Sequence, residues 1–276
     1  MVLILGLTGV LGDLISLPAI DLVWYRMLIA FISLFIFLLF KKELFNISRK
    51  HFLEILGVGV LVAIHWFCFF HSIKISTVSV AVVCLATSSL FSALIEPIFF
   101  KRKLLAYEVI MGVIVIIALA FIMGTEKQYL SGYIYGIIAA LLGTLFTLFN
   151  AKYINKVGAA KITMIEMLSG VIIFTGLLLF QDNYTVFKFN ISIKDLTYLI
   201  ILGTLCTAMV FVWMTEIMRH ITPFSLIMAI NLEPIYSIIL ALFIIGDKEI
   251  MSTSFYIGSC IIIGTVLIEG YLKNKQ

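Results

Sequence analysis

Charged side chains are scarce in this chain, at 12% of the residues, whereas 63% of the residues are hydrophobic. A soluble globular domain carries about twice that charged fraction. The mean hydropathy of +1.19 therefore excludes water as the solvent of most of the chain. Proline is also rare, with four residues in 276, so long helices can run with few interruptions. We predict an integral membrane protein.

Cysteine is scarce as well, and the four cysteines stand singly in apolar runs: Cys68, Cys84, Cys206 and Cys260. No two of them form a CxxC pair or a metal-ligand spacing. We expect all four to be buried packing residues. His65 and His71 are six residues apart, which is about 240° around a helix, so they do not form a metal-binding pair. No metal site and no cofactor are predicted.

The hydrophobic residues fall into ten runs, each close to the 20 residues or so that a helix needs to cross the hydrocarbon core. Residues 113–122 are continuously apolar, whereas barrel strands alternate apolar and polar residues. We predict an all-α integral membrane fold of ten transmembrane helices. They lie at residues 1–17, 22–40, 52–72, 76–99, 105–124, 132–154, 160–180, 194–217, 222–245 and 253–272.

Lysine and arginine are distributed unevenly between the loops on the two sides of the membrane. If the N-terminus is cytoplasmic, the inner loops carry thirteen cations. The outer loops then carry five: Lys74, Lys127, Lys188, Lys194 and Lys248. The positive-inside rule thus predicts a multi-pass protein of the cytoplasmic membrane with both termini in the cytoplasm. Because the cations are scattered over short loops, nucleic acid is not an expected partner.

Two parts of the chain resemble each other internally. Residues 65–104 can be laid on residues 210–249 without a gap, and Arg26-Met-Leu lies over Glu166-Met-Leu. The overlay predicts two halves of five helices each, half one (1–124) and half two (132–272). An odd number of helices forces the second copy to insert upside down, as in many secondary carriers. Helix one would have to begin about seven residues before Met1 to match its counterpart, so we expect a clipped N-terminus.

An ionisable residue inside a span costs about 2.5–3.5 kcal/mol and is a functional candidate by default. Glu233 lies near the middle of the ninth span and shares a helix face with Tyr236 and Ser237. It can bind a substrate amine or carry a coupling proton. The structural alternative is a protonated side chain bonded to a neighbouring helix. The overlaid position is Ser88, which with Thr87 either lines the opposite cavity wall or packs helices together.

Three further residues are candidates for substrate contact. His65 can accept a proton, and Trp66 can cover an apolar substrate; a hydrogen bond to a neighbouring helix is the alternative for His65. Arg26 is predicted near the outer end of the second span, where it binds an anionic group or snorkels to the interface. Because the halves are inverted, Arg26 and Glu166 are predicted about 18 Å apart along the membrane normal and cannot pair.

Several other polar residues lie toward the ends of the predicted spans. An inner gate on the cytoplasmic side is predicted from Glu166, Asn150, Glu96 and Trp213. Solvent or lipid headgroups are the expected surroundings of Glu54, Glu108 and Glu269.

The sequences Leu22-Val-Trp-Tyr-Arg26 and Leu232-Glu-Pro-Ile-Tyr236, the latter followed by Ile244-Ile-Gly-Asp-Lys248, resemble the EamA family of the drug/metabolite transporter superfamily. The first half departs from the family pattern, because Ser89 stands where Pro234 stands and Lys101-Arg-Lys103 replaces the Gly-acidic turn. The resemblance implies a carrier with a central cavity, often an exporter of amino acids or other metabolites. It does not imply which substrate is carried.

The sequence therefore predicts a secondary transporter that works by alternating access. Its expected partners are a small-molecule substrate, the lipid bilayer and, in antiport, a coupling proton; uniport and exchange stay open, as do monomer and homodimer. A lipid flippase and a membrane-embedded enzyme are the alternatives. Enzyme activity is not expected, because the chain has no Gly-rich phosphate loop, HExxH motif or nucleophile elbow.

Overall fold

The computed structural model describes residues 1–43, 47–181, 187 and 191–273, without the side chains of residues 269 and 273. The predictions made for Lys188 and for the side chain of Glu269 lie outside this part, as do Lys275 and the side chain of Lys273, two of the thirteen cations predicted in the inner loops. Within it the chain is helical and contains no β-strand. The helices are α1 (Val2–Leu14), α2 (Ala19–Phe40), α3 (Arg49–Ile75), α4 (Val78–Leu85), α5 (Ser88–Phe100), α6 (Ala106–Thr125), α7 (Leu130–Val157), α8 (Ala159–Phe180), α9 (Ile193–Gly203), α10 (Val210–Ile217), α11 (Pro223–Ile230), α12 (Glu233–Ile244) and α13 (Thr253–Lys273).

Nine helical segments among the described residues are long and apolar enough to cross a membrane. Three of these segments combine two helices each: α4 with α5, α9 with α10, and α11 with α12. Helix α1 has only 13 residues, about 20 Å of helix against a hydrocarbon core of about 30 Å. The prediction of an all-helical, multi-pass membrane protein is confirmed. Ten full spans are not, because the predicted first span is shorter than a crossing.

Side-chain caps set the start of several helices. Helix α3 begins at Arg49, three residues before the predicted start, because the Ser48 side chain accepts a hydrogen bond from the His51 amide. Thr77 caps α4 and Thr222 caps α11 in the same way. Each cap satisfies one of the amide groups that have no partner inside the helix.

The helices pack so that α3 lies against α7 and α8, α2 against α8 and α9, α1 against α12, and α6 against α13. Large apolar side chains cover the outside of the bundle, and Phe40, Phe180 and Phe243 are each more than 80% exposed. Such exposure is expected where lipid replaces water as the solvent.

Two predictions about single residues are wrong. Cys260 is exposed on α13, whereas the other three cysteines are buried as predicted. Glu108 was expected to face solvent or headgroups, but it is 1% exposed and accepts two hydrogen bonds from the Arg102 guanidinium, at 2.8 and 3.1 Å. A bidentate pair of this kind stabilises a carboxylate away from water.

Candidate functional site

An internal cavity of about 90 Å³ lies between helices of both halves. Its wall is mostly apolar and is formed by α1, α2, α3, α4, α5, α7, α10, α11 and α12. Five of the predicted site residues line it: Arg26, His65, Trp66, Ser88 and Glu233. A cavity of about 150 Å³ holds benzene. The cavity in this conformation is therefore suited to a smaller solute and must widen for a larger one.

Arg26 is the cation of the cavity and is only 1% exposed. Its Nε donates a hydrogen bond of 2.6 Å to Thr207, and its guanidinium lies 3.9 Å from the ring centre of Trp66. Its Nη1 has no hydrogen-bond partner among the described residues. Because other helices enclose the side chain, Arg26 does not snorkel, and the binding of an anionic group stays a prediction. A buried cation with a free donor can bind an anionic group.

Thr207 owes its position to a π-helical turn, Thr204–Met209, between α9 and α10. Its hydroxyl donates to the Leu202 carbonyl at 2.6 Å, five residues back, so its oxygen is left to accept from Arg26. Turns of this kind are frequent at functional sites. Sequence reasoning missed Thr207, since a threonine in an apolar helix carries no distinctive signal.

Glu233 is 5% exposed and is the first residue of α12. Within the described part of the chain, no hydrogen bond and no ion pair within 4 Å is made by its carboxyl group. It lies at the N-terminal end of a helix, where unpaired amide groups favour negative charge. The cavity thus contains a guanidinium and a carboxyl group that are not bonded to each other.

Two helix breaks meet beside this carboxyl group. One separates α4 from α5 after Ala86, and the other separates α11 from α12 at Asn231. The Asn231 amide donates to the Ala86 carbonyl at 3.4 Å, and its Oδ1 lies 3.1 Å from the Ser88 hydroxyl. Thr87 does not line the cavity, because its hydroxyl turns back to the Cys84 carbonyl. Asn231 was not predicted, although the overlay places it on Ala86.

Aromatic rings form one wall of the cavity. Trp66 and Phe211 meet edge to face with ring centres 4.9 Å apart, and Phe146 lies 6.0 Å from Phe211. His65 Nδ1 lies 2.7 Å from the Ala139 carbonyl. Because a carbonyl only accepts, Nδ1 carries the proton and Nε2 of the neutral ring is an acceptor. His65 therefore combines the predicted bond to a neighbouring helix with a place in the cavity wall.

Tyr236 and Ser237 lie away from the cavity. The Ser237 hydroxyl donates to the Gly6 carbonyl at 3.1 Å. Gly6 also lies close to Tyr236, since a Cβ at Gly6 would lie 2.9 Å from the Tyr236 Cβ. Both residues therefore pack α12 against α1, although they share a helix face with Glu233. The cavity reaches only the first turn of α12.

The four residues of the predicted inner gate are not brought together. Trp213 is 48% exposed on the outside of the bundle. Glu96 lies beside Arg102, with Oε1 and Nε 3.5 Å apart. Glu166 and Asn150 are buried neighbours outside the cavity wall. This structure therefore does not assemble the gate.

One end of the molecule is closed by polar contacts between the halves. Asp13 pairs with Lys248 at 2.5 Å, and Asp195 accepts bonds of 2.9 and 2.6 Å from the amide and hydroxyl of Ser16. Glu249 is fully buried and accepts from two amide groups in the first turn of α4, at 2.8 and 2.9 Å. Each contact joins half one to half two, so this end cannot open without breaking them.

The fold and the cavity define a helical, multi-pass membrane protein with a mostly apolar cavity between two halves, lined also by a guanidinium and a carboxyl group. The sequence model of the EamA-like transporter family matches residues 1–124 and 130–269, and the chain belongs to this family. The resemblance stated from the sequence is confirmed. No curated protein matches the chain.

The fold also has a counterpart of known structure. The chain superposes on a protein crystal structure with a TM-score of 0.68, covering 99% of this chain and 98% of that chain. The two sequences are 13% identical. At that identity the likeness supports the fold and not a substrate.

Proposed function

We propose that this protein is a secondary transporter that exports a small zwitterionic metabolite, such as an amino acid, by alternating access. The proposal rests on one observation: Arg26 and Glu233 line the same buried cavity and are not bonded to each other. A substrate carboxylate can bind the guanidinium and a substrate ammonium can bind the carboxylate. The wall of Trp66 and Phe211 covers the apolar part of the solute. Export follows from the family resemblance.

We further propose ten crossings arranged as two inverted halves, 1–124 and 132–272. Helices α2 and α8 have 22 residues each and begin at residues 19 and 159, 140 positions apart. Helices α4 and α11 have eight residues each and begin at residues 78 and 223, 145 positions apart. The same offset of 145 relates the two helix breaks. Matching lengths and breaks support two copies of one unit.

Contacts between matched residues support a two-fold axis through the cavity. Asn231 follows Ala86 by 145 positions and touches it, and Phe211 follows Trp66 by 145 positions and touches it. A residue meets its own counterpart only near a two-fold axis. In inverted-repeat carriers the substrate site lies at this axis, and the halves rock about it.

The closed end that contains Asp13 and Lys248 is proposed as the outer end. The uneven distribution of lysine and arginine supports this orientation, with both termini in the cytoplasm of a cell-membrane protein. Export then requires the contacts at this end to break, so that the cavity opens outward.

The proposal is tested by thermal unfolding of the purified protein with amino acids, sugars, nucleobases and organic cations. A ligand that binds the native state raises the unfolding temperature. We expect stabilisation by an amino acid, and loss of about tenfold or more in its affinity in Glu233→Gln, since a hydrogen bond to a charged group contributes about 1.5–3 kcal/mol.

The matched control is Glu216→Gln, which neutralises an exposed carboxylate that pairs with Arg219. Its affinity should equal that of the wild type. Unchanged binding in Glu233→Gln would contradict the proposed site. Stabilisation by lipid-like compounds alone would favour the flippase alternative instead.

A further inference from the structure

The carboxyl group of Glu166 is buried outside the cavity, in α8. Its exposure is 0%, and neither carboxyl oxygen has a hydrogen-bond partner among the described residues. Helix α3 comes close at this point, because a Cβ at Gly59 would lie 2.8 Å from the Glu166 Cα and 2.9 Å from its carbonyl oxygen. The α8 backbone at Glu166 therefore packs tightly against α3, at a contact between half two and half one.

Other polar atoms near this carboxyl group also lack partners in the described structure. Asn150 of α7 is the neighbour whose side chain interacts with Glu166, although the geometry falls short of a hydrogen bond. The Asn150 Oδ1 and the hydroxyl of Thr163, three residues before Glu166 on α8, are both buried without a partner. The three side chains form a polar cluster that nothing in the cavity explains.

Among the described residues, no cation forms an ion pair with Glu166. Helices α2, α3, α7 and α10 pack against α8. On α2, the charged side chain of Arg26 is hydrogen-bonded to Thr207 and not to Glu166. On α10, Glu216 pairs with Arg219 outside the helix.

His65 of α3 lines the cavity and Asp21 lies in the first turn of α2, and the other charged groups also lie near the ends of the helices concerned. On α3, His51 and Glu54 interact with Tyr153 of α7. Lys152 of α7 lies 5.9 Å from the same tyrosine ring, and Lys161 lies in the first turn of α8. None forms an ion pair within 4 Å of Glu166.

An ionised carboxylate is costly inside a membrane, by about 2.5–3.5 kcal/mol on insertion scales, and more so without a partner. We propose that Glu166 is a proton-binding site, separate from the substrate cavity, that binds and releases one proton in each transport cycle. Release transfers the proton from the carboxyl oxygen to water. The charge left behind needs water, so release accompanies separation of α8 from α3. Proton binding accompanies closure of the same contact.

This inference rests on the proposed transport function, and its test uses the full chain in proteoliposomes. Glu166→Gln keeps the size and neutrality of the protonated side chain, so we expect a folded protein. It should still equilibrate the substrate down its own gradient. An imposed pH gradient should drive accumulation by the wild type and not by the variant. Glu216→Gln, with an exposed carboxylate, should behave as the wild type.

A second readout does not depend on transport. The infrared spectrum of the purified wild type at neutral pH should contain a protonated-carboxyl stretch that Glu166→Gln removes and Glu216→Gln retains. If Glu166→Gln does not fold, Glu166→Asp should shift this band while keeping pH-driven accumulation. An unmoved band overturns the proposal.

Two further outcomes would overturn the proton site. One is pH-driven accumulation that persists in Glu166→Gln. The other is stabilisation of the wild type, but not of Glu166→Gln, by sodium ions, which would assign the cluster to a metal cation. A wild type that binds no solute but shows the infrared band would contradict the proposed substrate function and not the proton site.

Discussion

The two halves of the chain bury a basic and an acidic side chain at matched positions, and only the basic one lines the cavity. Arg26 of α2 and Glu166 of α8 are 140 positions apart in helices of equal length. A glycine of a neighbouring helix lies against each backbone, Gly203 beside Arg26 and Gly59 beside Glu166. In the proposed repeat these two helices correspond in length and in their glycine contacts, whereas the two side chains differ in chemistry.

A single extra residue accompanies this divergence. The helix cap Ser192 follows Ser48 by 144 positions, but Phe211 follows Trp66 by 145. One residue is thus added between these points in half two, where α9 and α10 are joined by the π turn. The turn holds Thr207, which binds Arg26, whereas α3 runs through the matching stretch as a regular helix. A local insertion makes two similar halves different at the site.

The largest effect is expected from removing Arg26, the cation that lines the cavity. Arg26→Gln should weaken substrate binding by about tenfold to a hundredfold, because a hydrogen bond to a charged group contributes about 1.5–3 kcal/mol. Arg26→Lys should recover only part of the loss, since an ammonium lacks the planar fork that stacks on Trp66. Ligand-induced shifts of the unfolding temperature measure both.

Arg219→Gln is the control for that experiment, because it removes a partly exposed cation that pairs with Glu216. Equal losses in the two variants would mean that net charge, and not the place of Arg26 in the cavity, determines binding.

The close contacts at the two glycines should be equally sensitive to substitution. A Cβ at Gly59 would lie 2.8 Å from the Glu166 Cα, and a Cβ at Gly203 would lie 2.7 Å from Ile29 and 3.2 Å from the Arg26 carbonyl. Alanine at either position should lower the free energy of unfolding by about 1–3 kcal/mol through overpacking. Thermal unfolding in detergent measures the loss.

Gly57→Ala provides the control, because in the described structure no atom outside the helix's own backbone lies within 4 Å of its added Cβ. It should be neutral or slightly stabilising, since alanine favours a helix over glycine by about 0.5–1 kcal/mol. If Gly59→Ala and Gly57→Ala unfolded at the same temperature, the α3–α8 contact would be looser than the structure has it.

The smallest effect concerns a turn that the halves build from different residues. Gly246 has φ +79°, and Lys101, 145 positions earlier, has φ +53°. A left-handed conformation strains a residue with a Cβ by about 1–2 kcal/mol. Lys101→Gly should therefore raise the free energy of unfolding by up to about 1 kcal/mol, and Gly246→Ala should lower it by about as much. Changes of the same sign in both variants would contradict the match between the turns.

Much of the fold could be predicted from the sequence, because a membrane imposes a length and an apolar character on each crossing helix. The runs from Ala106 to Thr125 and from Ala159 to Phe180 were found within one residue of their bounds. Interruptions were harder to predict. Pro234 signals the break before α12, but the break at Ala86 has no proline beside it and follows only from its counterpart in half two.

The candidate site could be predicted in part. Glu233, His65, Trp66 and Ser88 were found because polar or aromatic residues in the middle of a span stand out. Asn231 and Thr207 were missed, because asparagine and threonine also occur at many packing contacts between helices. The position of Asn231 depends on a helix break and that of Thr207 on a π turn. Neither feature can be predicted from a run of apolar residues.

The sequence by itself determined the solvent, the helical class and the family, since hydrophobic length and a few motifs are local properties of the chain. The tertiary structure alone decided which charges reach the cavity. In the sequence, Arg26 and Glu166 occupy matching repeat positions, and nothing there shows which of the two lines the cavity. They differ because the packed helices leave a cavity beside the Arg26 side chain, whereas Glu166 is buried outside the cavity wall.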